Sequence, residues 1–405
     1  MILGVFVGLI IIAITCSKTH QTYEEKVKEI AAEPTSPKIT IKPSRGVVID
    51  AHTHINANAI PKTIQAMDDS GIAALVNLSG GSGIGFDLNV QAFHPVRDRM
   101  VLAANLDWRW LMEPERFGEA NAALLREQVA RGAVALKIYK ALGLYYPNPE
   151  TNPMRRYFDE LRGREGITWD DPQKPGDLLR IDTPRLDPVW ETCAELNIPV
   201  YIHVGDPKAF FLPPTPDNER YEELGEHPNW SFSGPQYPRW QELLQQFEHI
   251  LLRHPDTVFI GVHFGNAAEE PERVIRMLDT YPNLYIDIAA RIPEFGRHDA
   301  TLMRKFFITY QDRILFGTDF SVSTRNYMLG SPDGTVKTRD DAKGYFDDHW
   351  AYLETDAKQI DNPTPIQGRW KIDAINLPPD VLQKIYSTNA LKLFPSLKHL
   401  HTGQR

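Results

Sequence analysis

The sequence has very little cysteine and no concentration of positive charge. Only Cys16 and Cys193 occur among 405 residues, and the formal net charge is −9. Nucleic-acid-binding proteins usually carry a basic run or patch, so this composition argues against a nucleic-acid partner. If Cys16 is processed, no disulfide can form within one chain. We interpret Cys193 as a small buried residue rather than a nucleophile.

Long apolar runs are also missing, except at the N-terminus. Residues 1–15 are almost entirely apolar, which is short for a membrane-spanning helix and close to the apolar core of a signal peptide. Cys16 follows directly and resembles a bacterial lipoprotein processing site, although Thr15 precedes it and the run has no basic flank. The alternative is a plain membrane anchor. We predict a leader (1–16) and a flexible tether (17–45), and hence an exported, membrane-tethered protein lipidated at Cys16.

The remaining chain shows no internal repeat, and its apolar segments alternate with helical or irregular ones, which predicts a parallel sheet. The candidate strands lie near residues 47–52, 72–78, 100–106, 133–139, 198–203, 257–263, 284–288 and 314–319. Eight strands in this order predict an α/β fold, the (β/α)8 TIM barrel. We place this barrel at residues 46–396 and a tail at 397–405.

Long segments rich in proline and aromatic residues follow the fourth, fifth and eighth strands, at about 141–186, 204–236 and 320–379. Active sites of such barrels lie at the carboxyl ends of the strands, so these loops would cover a pocket there. The alternative is that they pack only on one another or at a subunit contact.

Chemically useful side chains stand at the carboxyl ends of four strands. They are His52 and His54 after strand one, His203 after strand five, His263 after strand six and Asp319 after strand eight. Alternate residues of a strand face the same side, so Asp50 is expected to share a face with the first two. Imidazole and carboxylate tips on four strands predict one metal site at one end of the barrel.

The register of strand four adds Lys137 to the same interior. Alternation places Val134, Leu136 and Ile138 under the outer helices, and it places Ala133, Ala135 and Lys137 inside the barrel.

The strand-end motifs together resemble those of the metal-dependent amidohydrolase superfamily. They are Asp50-Ala51-His52-Thr53-His54, Tyr201-Ile202-His203, Gly261-Val262-His263, Gly317-Thr318-Asp319 and Ser387-Thr388-Asn389-Ala390. The resemblance extends over about residues 46–396 and is greatest to the branch that includes aminocarboxymuconate-semialdehyde decarboxylase. It implies one divalent ion, zinc or sometimes manganese, held by His52, His54, His203 and Asp319. It also implies that His263 is an unliganded acid–base or polarising residue.

Elementary chemistry agrees with that implication. Three neutral imidazoles and one carboxylate leave a net charge of +1 on a divalent site with room for a water, whose pKa would fall toward neutrality. Asp319 could then carry the proton to the leaving group, while His263 hydrogen-bonds the substrate oxygen. Asp50 would either orient a ligand imidazole or make a structural hydrogen bond inside the barrel.

Three cationic residues are candidates for substrate binding. In binuclear members of the superfamily a strand-four lysine is carbamylated and bridges two metals, but we interpret Lys137 as an ammonium that binds a substrate carboxylate or a buried aspartate. Arg109 and Arg291 follow strands three and seven and could bind an anion, although a surface ion pair is the plainer reading of each.

Three functions fit these features. We expect a hydrolase of an amide, lactone or ester bond in a small molecule, because the ligand set generates hydroxide directly. The alternatives are a non-oxidative decarboxylase of a small carboxylic acid and a non-enzymatic binding scaffold. A homo-oligomer is compatible with each of them.

Overall fold

The computed structural model describes residues 45–151, 154–158, 167–169, 172–205 and 207–402. The predicted leader with Cys16, and the predicted tether except its last residue, lie outside the described residues. Export, lipidation and membrane tethering therefore stay predictions. Within the described ranges, no helix combines the length and apolar character needed to cross a membrane.

Eight parallel strands form the wall of a barrel, and each predicted strand is present within a few residues. In chain order the strands are β1 (Ile49–Ile55), β2 (Ala74–Asn77), β3 (Met100–Asn105), β4 (Ala133–Ile138), β5 (Met154–Phe158), β6 (Ile167–Trp169), β7 (Val200–Ile202), β8 (Phe259–Gly261), β9 (Leu284–Asp287), β10 (Ile314–Leu315), β11 (Phe320–Val322) and β12 (Tyr327–Leu329). The main sheet runs β10-β9-β8-β7-β4-β3-β2-β1-β11-β12, while β5 and β6 form a separate antiparallel pair.

The barrel closes because one stretch of chain contacts both edges of the sheet. β10 pairs with β9, and β11 pairs in parallel with β1. Between them, the Ala51 N–H donates to Phe316 O and the Asp319 N–H donates to His52 O, both at 2.9 Å. Residues 314–322 therefore act together as the eighth strand, and β12 folds back antiparallel on β11.

Helices cover the outside of the wall, as expected for parallel strands joined by crossover connections. Those of nine residues or more are Ile60–Ser70, Gly83–Phe93, Phe117–Ala130, Asp187–Glu195, Trp240–Arg253, Pro271–Thr280, Ala300–Thr309 and Arg339–Glu354. Shorter helices are Ala141–Leu144, Tyr221–Glu226, Val262–Gly265, Ile292–Gly296, Pro379–Gln383, Asn389–Leu393 and His399–Thr402, with a π-helix at Lys384–Thr388.

The apolar core has one part between wall and helices and another inside the barrel. Leu136 packs in the outer part and Ala135 in the inner part, as the alternation predicts. The predictions for Ala133 and Val134 are wrong, since Ala133 packs outside and Val134 packs against the inner cluster. A register irregularity where β3 meets β4 accounts for this exchange.

The C-terminal helices close the amino end of the barrel. Phe394 is fully buried in the inner cluster and stacks on Tyr201 of β7, with ring centroids 6.2 Å apart. The described part of the predicted tail continues this packing, because Leu397 and Leu400 belong to the same cluster. The amino end is therefore filled with apolar side chains.

Candidate metal centre

The first strand carries two imidazoles to the carboxyl end of the barrel. His52 and His54 lie with ring centroids 5.5 Å apart, and the His52 ring is 4.9 Å from that of His263. Asp319, at the end of the eighth strand, places Oδ1 at 3.6 Å from His52 Nε2 and 3.4 Å from His54 Nε2. The structure thus brings these four predicted residues together.

Asp287 orients His52. Its Oδ2 lies 2.8 Å from His52 Nδ1, and its Oδ1 accepts from the backbone N–H groups of His263 at 2.8 Å and Ala289 at 3.1 Å. A carboxylate at Nδ1 holds the proton there and leaves Nε2 as the lone-pair nitrogen. His52 Nε2 is buried and has no hydrogen-bond partner within the described part of the chain.

The imidazoles of His54 and His263 are likewise held at Nδ1. His54 Nδ1 lies 2.7 Å from Ser79 Oγ, and His263 Nδ1 lies 2.8 Å from the carbonyl oxygen of Ala289. Because a carbonyl oxygen can only accept, His263 Nδ1 carries a proton and the neutral ring has its lone pair on Nε2. His263 is therefore a proton acceptor when neutral, and it can donate to a substrate oxygen only after it gains a proton.

His203 follows β7 and contacts His263 edge to face, with ring centroids 4.4 Å apart. Asn266 holds the chain on both sides of His203. Its Oδ1 accepts from Val204 N at 2.9 Å and its amide donates to Ile202 O at 3.3 Å.

Left-handed backbone conformations concentrate at this end of the barrel. Asp319, His263, Phe264, Asn266 and Ala290 have φ between 52° and 62°. Such conformations are unfavourable for most residues and recur at functional sites. Gly317 permits the close approach of strand eight, because a Cβ there would lie 2.9 Å from the Cβ of His52.

The donor set fits a divalent metal ion. The ligand atoms of His52, His54 and Asp319 all lie within 4.8 Å of one another, and so do those of a second group, His52, His263 and Asp287. The first group is the better site, since Asp287 already hydrogen-bonds His52 Nδ1. The predicted ligand His203 belongs to neither group.

Burial dominates the electrostatics of the site. It lowers the pKa of His54 and His263 well below the ordinary value, and neighbouring imidazoles and cations add to this. Neutral imidazole is the form that binds metal. Burial raises the pKa of Asp319. Burial also acts to raise the pKa of Asp287, but the attraction of His52 and Lys137 and the hydrogen bonds from His52 and the His263 N–H together outweigh it and lower that pKa.

A family model described as amidohydrolase matches residues 49–396 of this chain. The chain belongs to the amidohydrolase family. The family is metal-dependent, and the clustered His52, His54 and Asp319 are candidate metal ligands.

Three solved structures are similar to this chain. An uncharacterised TIM-barrel protein from Bordetella bronchiseptica is 13% identical, with 86% of this chain and 99% of that chain covered and a TM-score of 0.48. A dihydroxybenzoic acid decarboxylase from Polaromonas sp. with bound manganese is 14% identical, with 86% and 97% covered and a TM-score of 0.46. A probable 2-pyrone-4,6-dicarboxylic acid hydrolase from Acinetobacter baumannii is 11% identical, with 86% and 99% covered and a TM-score of 0.44.

The side chain of Asp50 does not face the imidazoles. Ile49 and Ala51 pack into the inner cluster, so Asp50 points the other way, and a register irregularity follows it in β1. Its carboxylate accepts from Thr318 Oγ1 at 2.6 Å and Thr318 N at 3.1 Å. The prediction of a shared face with His52 is wrong. Asp50 makes structural hydrogen bonds on the other face, and its Oδ1 also accepts from the backbone N–H of His52 at 3.2 Å. Burial raises its pKa to about 7.

Lys137 is buried beside the site. Its Nζ has no hydrogen-bond partner among the described residues and lies 5.7 Å from the centroid of the Tyr139 ring. Burial lowers its pKa to about 8, opposed by attraction to Asp287 and Asp319. Lys137 therefore lies close enough to Asp287 and Asp319 to be attracted by both carboxylates.

A cavity of about 170 Å³ opens over the site. Its lining includes His203, His263, Asp319 and Arg291, and Arg291 Nη1 also donates to Ala290 O at 2.8 Å. Phe210 and Trp230, from the long segment after β7, and residues 330–332 after β12 complete the roof.

The structure does not bring Arg109 to this cavity. Its side chain is 77% exposed and pairs with Asp107 at 2.7 Å. Arg109 therefore forms a surface ion pair, as the simpler of the two interpretations proposed.

Three residues that orient the site were not predicted from the sequence: Asp287, Ser79 and Asn266. Asp287 follows the pattern that revealed the other residues, because a carboxylate ends the apolar strand Leu284–Asp287. Ser79 and Asn266 lie in loops, where neither alternation nor residue type distinguishes them.

Proposed function

We propose that this amidohydrolase hydrolyses an amide, lactone or ester bond of a small molecule. The observation that carries the proposal is the common orientation of three imidazoles around one carboxylate. Their Nδ1 atoms contact Asp287, Ser79 and the Ala289 carbonyl, so the Nε2 atoms of His52 and His54 face Asp319 Oδ1. Such a set suits zinc or manganese.

His52, His54 and Asp319 would hold the ion, with His203 as a further predicted ligand. A bound divalent ion supplies an activated water and polarises the bond to be cleaved. Asp319 lies beside both imidazoles and lines the cavity, so it can receive a proton and return it to the leaving group. His263 can take a second proton at Nε2, because Nδ1 is committed to Ala289 O.

Two cations support decarboxylation as the second candidate. Lys137 lies buried near Asp287 and Asp319, and Arg291 lines the cavity. Either cation could hold the carboxylate of an acidic substrate, and a protonated His263 could deliver the proton to carbon. This reaction uses the same residues and releases carbon dioxide.

Turnover in ¹⁸O-labelled water separates the two reactions. The zinc-loaded enzyme would be tested on lactones, amides and aromatic carboxylates, with chelator-treated enzyme as the control. Hydrolysis places the label in the product carboxylate. Carbon dioxide release, with solvent deuterium entering the product carbon and no hydrolytic product, would replace the proposal with decarboxylation.

A further inference from the structure

His54 is held differently from His52. Asp287 contacts His52 with a buried carboxylate, whereas the partner of His54 Nδ1 is a hydroxyl group, Ser79 Oγ at 2.7 Å. A hydroxyl can donate or accept, so this contact alone leaves two tautomers of His54 open. Only one of them leaves the lone pair on Nε2, which faces Asp319 Oδ1 at 3.4 Å.

A second hydroxyl removes this ambiguity. Ser79 Oγ lies 3.2 Å from Tyr139 Oη, and Tyr139 Oη donates to the carbonyl oxygen of Leu78 at 3.0 Å. Tyr139 has a single hydroxyl proton, the carbonyl can only accept, and its contact with Tyr139 Oη is the shorter of the two, so we assign that proton to Leu78. Tyr139 Oη is then the acceptor for Ser79, and the single proton of Ser79 points toward Tyr139.

The direction of each bond follows in order. With its own proton directed at Tyr139, Ser79 Oγ can only accept from His54. His54 Nδ1 must therefore carry a proton, and the neutral ring keeps its lone pair on Nε2. A backbone hydrogen bond holds Ser79 in position, because the Ser79 N–H donates to Asn77 Oδ1 at 3.1 Å.

We infer that Ser79 and Tyr139 are positioning residues that set the tautomer of His54 for metal binding. This inference rests on the metal site of the proposed function, but it concerns how the protein prepares one ligand. The hydroxyl relay of Ser79 and Tyr139 does for His54 what a carboxylate does for His52. A neutral relay is weaker than a charged partner, so His54 is the weaker of the two ligands.

Zinc affinity, measured by competition with a chromophoric chelator, tests the relay without an activity assay. Partners that orient a metal ligand typically contribute about 10- to 100-fold in affinity. We expect Ser79→Ala to weaken zinc binding about tenfold and Tyr139→Phe to weaken it less. Asp287→Asn should weaken it more than either. The double variant Ser79→Ala/Tyr139→Phe should match Ser79→Ala alone, because Tyr139 acts through Ser79.

Matched controls separate the relay from general damage. Ser82→Ala removes a nearby hydroxyl that caps no helix N–H, and Tyr146→Phe removes a tyrosine hydroxyl outside the relay. Both should bind zinc as the wild type does. Ser79→Thr keeps the hydroxyl and should bind zinc as tightly as the wild type. The added methyl group can be accommodated because Ser79 borders an open groove. The visible absorption of the cobalt-substituted protein should change in Ser79→Ala and return in Ser79→Thr.

The outcomes distinguish the two proposals. Wild-type protein that binds no zinc would overturn the metal site and the proposed function with it. Zinc binding by the wild type, with Ser79→Ala within twofold of it, would overturn the relay alone. If Ser79→Ala does not fold, the comparison of Tyr139→Phe with Tyr146→Phe decides, and equal affinities in that pair would refute the relay.

Discussion

The two ends of the barrel are built from the same strands but differ in almost every physical property. At the carboxyl end, His203, His263 and Asp319 line a cavity, and several non-glycine residues adopt left-handed conformations. At the amino end, Phe394, Leu397 and Leu400 fill the interior. Tyr201 joins the two ends, with its ring 6.3 Å from that of His52 and 6.2 Å from that of Phe394.

The difference indicates how one fold supports both stability and chemistry. A left-handed non-glycine residue costs on the order of 1–3 kcal/mol, and buried polar groups add a desolvation cost. Burial of large apolar side chains at the amino end offsets such costs by about 1.5–3 kcal/mol each. Substitutions at the two ends should therefore affect different properties.

The largest effect is expected for Asp319→Asn at the carboxyl end. Turnover should fall about 10³-fold or more, because the amide can neither accept the proton nor ligate as a carboxylate. Thermal unfolding should change little, since asparagine tolerates the left-handed φ of 62°. Rate measurements and melting curves, with Asp340→Asn in an exposed helix turn as the control, would test this. Retained activity would remove Asp319 from the mechanism.

Phe394→Ala should do the reverse at the amino end. Loss of a fully buried ring typically costs about 3–5 kcal/mol of unfolding free energy, while the site residues remain in place. Urea unfolding would measure the loss, and kcat of the folded fraction should stay near wild type. Leu252→Ala, at a 71% exposed position, is the control. If kcat of the folded Phe394→Ala protein also fell sharply, packing at the amino end would affect catalysis at the carboxyl end.

His263→Asn should lower turnover about 10²-fold, as for removal of one group that assists charge or proton movement. Zinc content should be unchanged if His263 is not a ligand. Steady-state kinetics together with elemental analysis would check both points. Loss of zinc would instead make His263 a ligand and favour the second candidate group.

Metal removal should lower the stability of the fold by less than Phe394→Ala does. We expect about one equivalent of zinc per chain, and tenfold excess of free zinc over Kd should stabilise the fold by about 1.4 kcal/mol. Elemental analysis and melting curves with and without chelator would measure these quantities. Two equivalents, with a carbamate on Lys137, would replace the single-ion site by a binuclear one.

Strand order and the strand-end residues could be predicted because apolar runs and their polar tips are local properties of the chain. Register could not be predicted where strands are irregular. An irregularity in β1 turns Asp50 away from the imidazoles, and another between β3 and β4 exchanges Ala133 and Val134. Alternation assumes an uninterrupted ladder, so it fails at such points.

The sequence by itself determined the eight-stranded barrel and the clustering of His52, His54, His263 and Asp319, since parallel strands bring their carboxyl ends to one edge. Only the tertiary structure decided which atoms orient them. Asp287 comes to His52 across 235 positions of sequence, and Ser79 meets Tyr139 across 60. Hydrogen-bond direction depends on such distant partners, and no local pattern of residues encodes it.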